Sequence, residues 1–167
     1  PKVPAFKRRV DDLNAPLIDV GKMREVLASR YRFKIDQLCD GQATHDAILA
    51  AIQRKLIDDA SPGDYAVFYF SGHGSTITNT AVPNRPDQTI VPADALLGTP
   101  DIRDKELARL FRQAAKKGVH LTAIFDSCHS GSITRGYPEM AQARFAEPYP
   151  GEVNDPGEGA AADLGVL

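Results

Sequence analysis

Apolar residues along the chain switch between helical and strand spacing, and each switch marks an element. Leu17, Val20, Met23 and Leu27 recur at helical spacing behind Asn14, a suitable N-cap, with Pro16 tolerated in the first turn. This predicts an amphipathic helix over residues 15–30. Residues 35–39 alternate apolar and polar before the turn signal Asp40-Gly41, as a short strand would. Thr44 can cap a second helix with Ile48, Ile52 and Leu56 on one face, and Pro62-Gly63-Asp64 ends that unit. Residues 65–70 form a continuous, aromatic-rich apolar run, which predicts a central parallel strand buried on both faces.

A polar, Pro-containing connection over residues 76–88 and a short Thr89-Ile90-Val91 segment lead to Asp104. That residue can cap a third helix carrying Leu107, Leu110, Phe111 and Ala114, closed by Gly118. Residues 119–125 are again strand-like. Strands alternating with helices imply a three-layer α/β/α sandwich around a mostly parallel sheet. The sequence shows no internal repeat.

Composition narrows the partners. The 167 residues suit one domain, and 20 Lys and Arg against 22 Asp and Glu give a net charge of −2 with no basic field. Neither nucleic acid nor a membrane is an expected partner, because the longest apolar run, around residues 66–70, is far short of a spanning helix. Two cysteines, Cys39 and Cys128, are too few for a disulfide framework and point to a reducing, cytoplasmic setting. The start at Pro1 and the Gly/Ala-rich stretch 157–167 lead us to expect ends that are trimmed or processed. We expect residues 1–135 to be the folded domain and 136–167 a flexible linker or processed tail.

The candidate chemistry sits at strand ends, where open α/β sheets gather their catalytic groups. Ser71-Gly72-His73-Gly74 follows the first apolar strand and Asp126-Ser127-Cys128-His129-Ser130-Gly131 follows the second. If those strands are neighbours, His73 and Cys128 meet in one cleft although 55 positions separate them. A free thiol is only a few per cent thiolate at neutral pH, so a nearby imidazole is needed to activate it. Gly72 and Gly74 are expected to let the chain turn sharply, leaving the Gly74 and Cys128 amides free to face a developing oxyanion.

These motifs resemble those of the caspases, metacaspases and their prokaryotic relatives, in which a strand ending S-G-H-G supplies the His and one ending D-S-C-H-S-G supplies the Cys. The likeness is greater to the metacaspase and bacterial orthocaspase branch, because Asp126 stands where animal caspases carry Gln. It runs from Asn14-Ala15-Pro16-Leu17 through Thr134-Arg135-Gly136. The resemblance implies a caspase-like fold, incomplete at the termini of this chain, since the family's first buried strand and its two-strand C-terminal subdomain are not recognisable. It further implies that Asp126 lines the pocket for the side chain before the scissile bond and selects Arg or Lys. A C-terminal, small-subunit-like part of the same polypeptide, or a second chain, would supply the missing strands. The connection after His73 offers only Asp87 and Asp94 for a hard cation, so no calcium site, other metal or cofactor is expected.

Blander readings stand beside these. Cys39 reads as a core residue, His45 as a capping-turn residue, and His120 as an ordinary strand residue. His129 adjoins the nucleophile, but adjacent side chains on an extended segment point apart. Asp126 could instead orient its loop through backbone bonds, and Ser71 could be a turn residue rather than part of the pocket wall. The leading expectation is a cysteine endopeptidase acting on proteins or peptides through a Cys128–His73 dyad and an acyl-enzyme. Its alternative is a catalytically silent caspase-like module that binds a partner. Arg135 and Arg144, in the exposed Pro/Gly-containing stretch after Ser132, are candidate self-cleavage positions.

Overall fold

The computed structural model describes residues 8, 10–82, 84–127, 144 and 146–155. Three helices form where apolar stripe and turn chemistry agree. α1 (Ala15–Tyr31) has Pro16 in its first turn and ends at Arg32, whose N–H reaches the Leu27 carbonyl. Its stripe is shallow, for no residue of α1 is fully buried, and Asn14 stands at the N-cap without a side-chain capping bond. α2 (His45–Ile52) is capped by Thr44, whose Oγ1 accepts the Ala47 N–H at 3.3 Å. It continues as a π-helical turn, Gln53–Asp58, that keeps Leu56 buried with Ile48 and Ile52.

α3 (Asp104–Lys116) buries Leu107, Ala108, Phe111 and Ala114. Asp104, expected as its cap, is instead its first helical residue. The N-cap is Arg103, whose N–H donates to Glu106 Oε2 at 3.0 Å, because a carboxylate three residues inside a helix can reach back to the cap amide. Gly118 ends the unit at φ 90°, where a Cβ would lie 3.3 Å from Pro62.

The strands divide between two sheets. β1 (Tyr65–Ser71) and β5 (His120–Asp126) pair in parallel, from Tyr65 opposite His120 to Ser71 opposite Asp126. A second sheet has the order β4-β3-β2-β6. In it β2 (Gly74–Asn79) and β3 (Asp87–Ile90) form an antiparallel pair, β4 (Ile102–Arg103) runs antiparallel to β3, and β6 (Tyr149–Val153) runs parallel to β2.

Several expectations need correction here. Residues 76–88, read as a connection, hold most of β2 and the start of β3. Beside the buried Ile77, the inward positions Asn79 and Asp87 are polar and bonded to one another, which conceals the strand pattern: Asn79 Nδ2 donates to the Asp87 carboxylate at 3.2 Å and to the Asp155 carbonyl at 2.7 Å. Residues 35–39 form no strand, since they have no ladder partner among the described residues. Cys39 there is extended but only half-buried, and its Sγ accepts Gln37 Nε2 at 2.8 Å, so it is less a core residue than expected. Residues 149–153, placed by sequence in a tail, are β6.

The core lies between α2 with its π turn, α3, and the β3–β4 edge. Ile48, Ile52, Leu56, Ile90, Ile102, Leu107 and Phe111 form its centre, and Ala66, Phe68, Phe70 and Leu121 pack on it from one face of β1 and β5. Tyr69 faces the other way, toward α1, across a cleft of about 320 Å³. β1 is therefore half-buried rather than buried on both faces, because the parallel sheet has two strands among the described residues.

Candidate active site

The register of the parallel pair sets the geometry of the site. Ser71 lies opposite Asp126, an offset of 55 residues that is also the separation of His73 from Cys128. Gly72 N–H extends the pairing by donating to the Asp126 carbonyl at 3.3 Å. Two residues further on each strand, the chain reaches His73 on one side and Cys128 on the other. Cys128 with its amide, and Arg135, lie outside the described residues.

His73 is buried at the β1–β2 junction. Its Nε2 lies 2.6 Å from the Asp11 carbonyl, an acceptor only, so Nε2 carries the ring proton of the neutral imidazole. That leaves Nδ1 as the basic nitrogen, and it is buried with no partner among the described residues. An imidazole fixed in one tautomer with its lone pair unengaged is what a general base requires. The Asp11 carbonyl, not visible in the side-chain pattern, is the group that orients it.

An acidic cleft lies between β1 and α1. Tyr69, Ser71 and Asp126 meet on the α1 face of the sheet, with the Tyr69 and Ser71 hydroxyls each 3.4 Å from Asp126 Oδ2. Ser71 and Asp126 are thus in contact, while Asp126 alone of the two lines the cleft. Asp19, Lys22, Met23 and Val26 of α1 close the other side. The sequence reading missed Asp19. Its signal was an acid four and seven residues before Met23 and Val26, which share its helix face.

Arg144 pairs with both carboxylates of the cleft. Its Nη2 donates to Asp19 Oδ2 at 2.5 Å, and its Nη1 donates to Ser71 Oγ at 3.0 Å and the Asp126 carbonyl at 2.9 Å, besides pairing with the Asp126 carboxylate. Burial draws the guanidinium pKa down, but the hydrogen bonds and charges of Asp19 and Asp126 outweigh it and hold it above its ordinary value. The Tyr69 hydroxyl is pushed up, first by burial and then by the Asp126 and Asp19 charges, against a Ser71 hydrogen bond that lowers it.

The glycines act differently from expectation. Neither Gly72 nor Gly74 has the positive φ of a sharp glycine turn; at Gly72 the constraint is space, since a Cβ would lie 3.0 Å from the Phe70 ring. The Gly74 N–H is not free either, but donates to the Arg144 carbonyl at 2.8 Å. Sheet pairing claims the amide, because the segment leading into β6 runs alongside β2. His45 and His120 are remote from this site: His45 N–H is bonded to Asp94 at α2, and the His120 ring stacks on Tyr65 at the far end of β1. No group of three or more His, Cys, Asp and Glu side chains suited to a metal ion occurs among the described residues.

The model of the metacaspase, peptidase C14 domain family matches residues 6–135. The chain belongs to that family. Metacaspase-9 of Arabidopsis thaliana is 35% identical over 134 residues, covering 74% of this chain and 40% of its own length. Metacaspase-1A of Aspergillus clavatus is 41% identical over 110 residues, covering 64% of this chain and 25% of its own. The crystal structure of protein GSU0716 from Geobacter sulfurreducens superposes with a TM-score of 0.54 at 26% identity, over 68% of this chain and 41% of that one. The caspase-like α/β fold expected from the motifs therefore holds. This metacaspase-family chain spans two-fifths or less of the length of these curated relatives.

Proposed function

We propose that this chain carries the nucleophile and base of a cysteine endopeptidase that cuts after Arg or Lys. The observation that carries the reading is the His73 ring, anchored through Nε2 with Nδ1 left unengaged, at the end of a strand whose neighbour runs on to Cys128 within two residues. His73 Nδ1 takes the thiol proton, and the thiolate adds to the scissile carbonyl. Protonated His73 then gives its proton to the leaving amine, and water resolves the thioester with His73 again as base. The amides of Gly74 and Cys128 are the proposed oxyanion donors, the former once its amide faces a substrate carbonyl. These steps need no cofactor.

Selection of a cationic side chain is supported by the two carboxylates and one hydroxyl that converge in the cleft. Charge-assisted bonds from Asp126, Asp19 and Ser71 suit a guanidinium or an ammonium and repel an acidic side chain. Because the chain covers so little of its relatives' length, we further propose that a C-terminal, small-subunit-like part of the polypeptide, or a second chain, pairs with the exposed edge of β5. A reactive thiol favours a reducing, cytoplasmic setting for such an enzyme.

Fluorogenic peptides differing only in the residue before the scissile bond test the reading. The longest available form of the protein should cut Arg and Lys peptides and leave Asp peptides intact. Cys128→Ala should abolish turnover while the fold persists, and His73→Ala should lower it by about 10²–10⁴. Retained turnover in Cys128→Ala would refute the mechanism. A wild-type thiol that no Arg-based cysteine-reactive peptide labels would favour a silent binding module.

A further inference from the structure

The carbonyl that orients His73 lies in a segment with little burial of its own. Asp11 and Asp12 are exposed, and α1, which follows, has no fully buried residue. Burial of that segment does not by itself set where the Asp11 carbonyl stands. The firm attachment is upstream. Arg8 stands three residues before Asp11, at most about 10 Å of extended chain away, and its side chain is buried. Its guanidinium forks onto both oxygens of Asp101 at 2.5 and 2.8 Å, and its Nε donates to the Glu147 carbonyl at 2.8 Å. Thr89 Oγ1 of β3 donates to the same Asp101 carboxylate at 2.8 Å.

That strand also holds the ring's own backbone. Two residues beyond Thr89, the Val91 N–H donates to the His73 carbonyl at 3.0 Å, and Ile90 of β3 stands opposite Gly74, the residue after the histidine. The contacts close into a circuit: Arg8 to Asp101 and Thr89, along β3 to His73, across Nε2 to Asp11, and back along the chain to Arg8. A two-pronged guanidinium–carboxylate pair fixes direction as well as distance, which neither an ammonium nor an apolar contact does. The fork alone would serve the fold. That its two sides carry the acceptor and the donor of one hydrogen bond to the base gives it a second task.

We propose that Arg8 is a positioning residue for the general base: its fork on Asp101 holds the Asp11 carbonyl against His73 Nε2 and so keeps the proton on that nitrogen and Nδ1 free to accept another. The consequence for turnover rests on the peptidase reading above, whereas the consequence for the ring does not. Loosening the fork lets the carbonyl draw away, and the imidazole then turns and exchanges its proton with water. The Asp19 and Asp126 carboxylates lie between α1 and β1 and make no contact with Arg8, so a cationic side chain still binds.

The test uses the longest available form of the protein, with histidine labelled by heavy nitrogen for magnetic resonance. Of the four histidines, the signal that disappears in His73→Ala belongs to that ring. Wild type should show a His73 Nε2–H proton that exchanges slowly with water. Arg8→Lys keeps the charge and loses the fork; it should speed that exchange and lower kcat for an Arg peptide about tenfold, short of the loss of the base itself, with KM unchanged. Arg8→Met combined with Asp101→Leu removes both charges, a swap that a buried pair tolerates, and should keep the circular dichroism, abolish the protected signal and lower kcat about 10²-fold. Either variant, folded and with a wild-type His73 signal and kcat, overturns the proposal. So does a fall in kcat matched by a rise in KM, since that is general loosening of the site. Should the double variant not fold, Arg8→Lys decides by the same readings. A chain that cuts no Arg peptide yet loses the protected signal in Arg8→Lys overturns the peptidase reading and leaves the positioning role standing; no turnover with an unchanged signal overturns both.

Discussion

Two arginine–carboxylate clusters differ in burial, and they are built for opposite ends. In the first, Arg8 makes a two-pronged pair with Asp101 at 2.5 and 2.8 Å, and Thr89 Oγ1 adds a third bond to the same carboxylate at 2.8 Å. The two side chains are 1% and 0% exposed. In the second, Arg144 is 15% exposed, Asp19 29% and Asp126 44%. A dry, saturated pair cannot lose a member without leaving a charge in low dielectric. A wet pair can trade one guanidinium for another, because water covers the carboxylates in between. Burial, not the residue types, separates a structural pair from an exchangeable site.

The largest effect should come from breaking the dry cluster. Asp101→Ala leaves Arg8 buried and unpaired and is expected to cost about 3–5 kcal/mol in chemical denaturation. Asp126→Ala should cost no more than about 1 kcal/mol. Equal losses at the two positions would erase the distinction between them. Next, Asp126→Asn removes the charge at the centre of the exchangeable cluster. It should lower kcat/KM for an Arg peptide about 10²-fold, or about 2.7 kcal/mol, with circular dichroism unchanged. Asp19→Asn should lower it by about tenfold, because one of two carboxylates remains. An Asp19 effect larger than that of Asp126 would move the centre of the pocket onto α1.

The smallest effect concerns a carboxylate whose bonds from the Lys105 and Gln88 backbone and whose Lys105 charge only partly offset its burial. Asp104, at the start of α3, has its pKa raised above 3.8 by burial and then by the charge of Asp87. A raised pKa in the folded state means that the native protein binds this proton more readily than the unfolded chain. This group's contribution therefore weakens the fold as pH rises from 3.8 through the folded value. Asp104→Asn should raise Tm at pH 7 by roughly 1–3 °C and leave it unchanged near pH 3. A lower Tm at pH 7 would show that the lost charge at the helix N-terminus outweighs the relief of repulsion.

Much of this could be read from local pattern. The stripe Ile48, Ile52, Leu56, the stripe Leu107, Phe111, Ala114 and the apolar runs of β1 and β5 follow periods of 3.6 and 2, which report only which face each residue shares with its neighbours. Period-2 reasoning failed where polar residues point inward, at Ser75, Asn79, Asp87 and Thr89 of β2 and β3, because their partners lie on other elements. It also failed at residues 35–39, where alternation is present but no ladder partner meets it.

The sequence by itself determined which groups stand at the strand ends. The equal offset of Ser71 from Asp126 and of His73 from Cys128 needs only two parallel strands in that register. Tertiary structure alone decided what surrounds them. The Asp11 carbonyl that fixes the His73 tautomer is 62 residues away in the chain, and the Asp19 carboxylate that meets Arg144 is 125 residues from it. Such pairs leave no periodic trace, because the positions between them are free to vary in composition as long as the chain folds back. Only the packing of α1 over β1 and the pairing of the segment before β6 with β2 bring Asp19, Asp126 and Arg144 together.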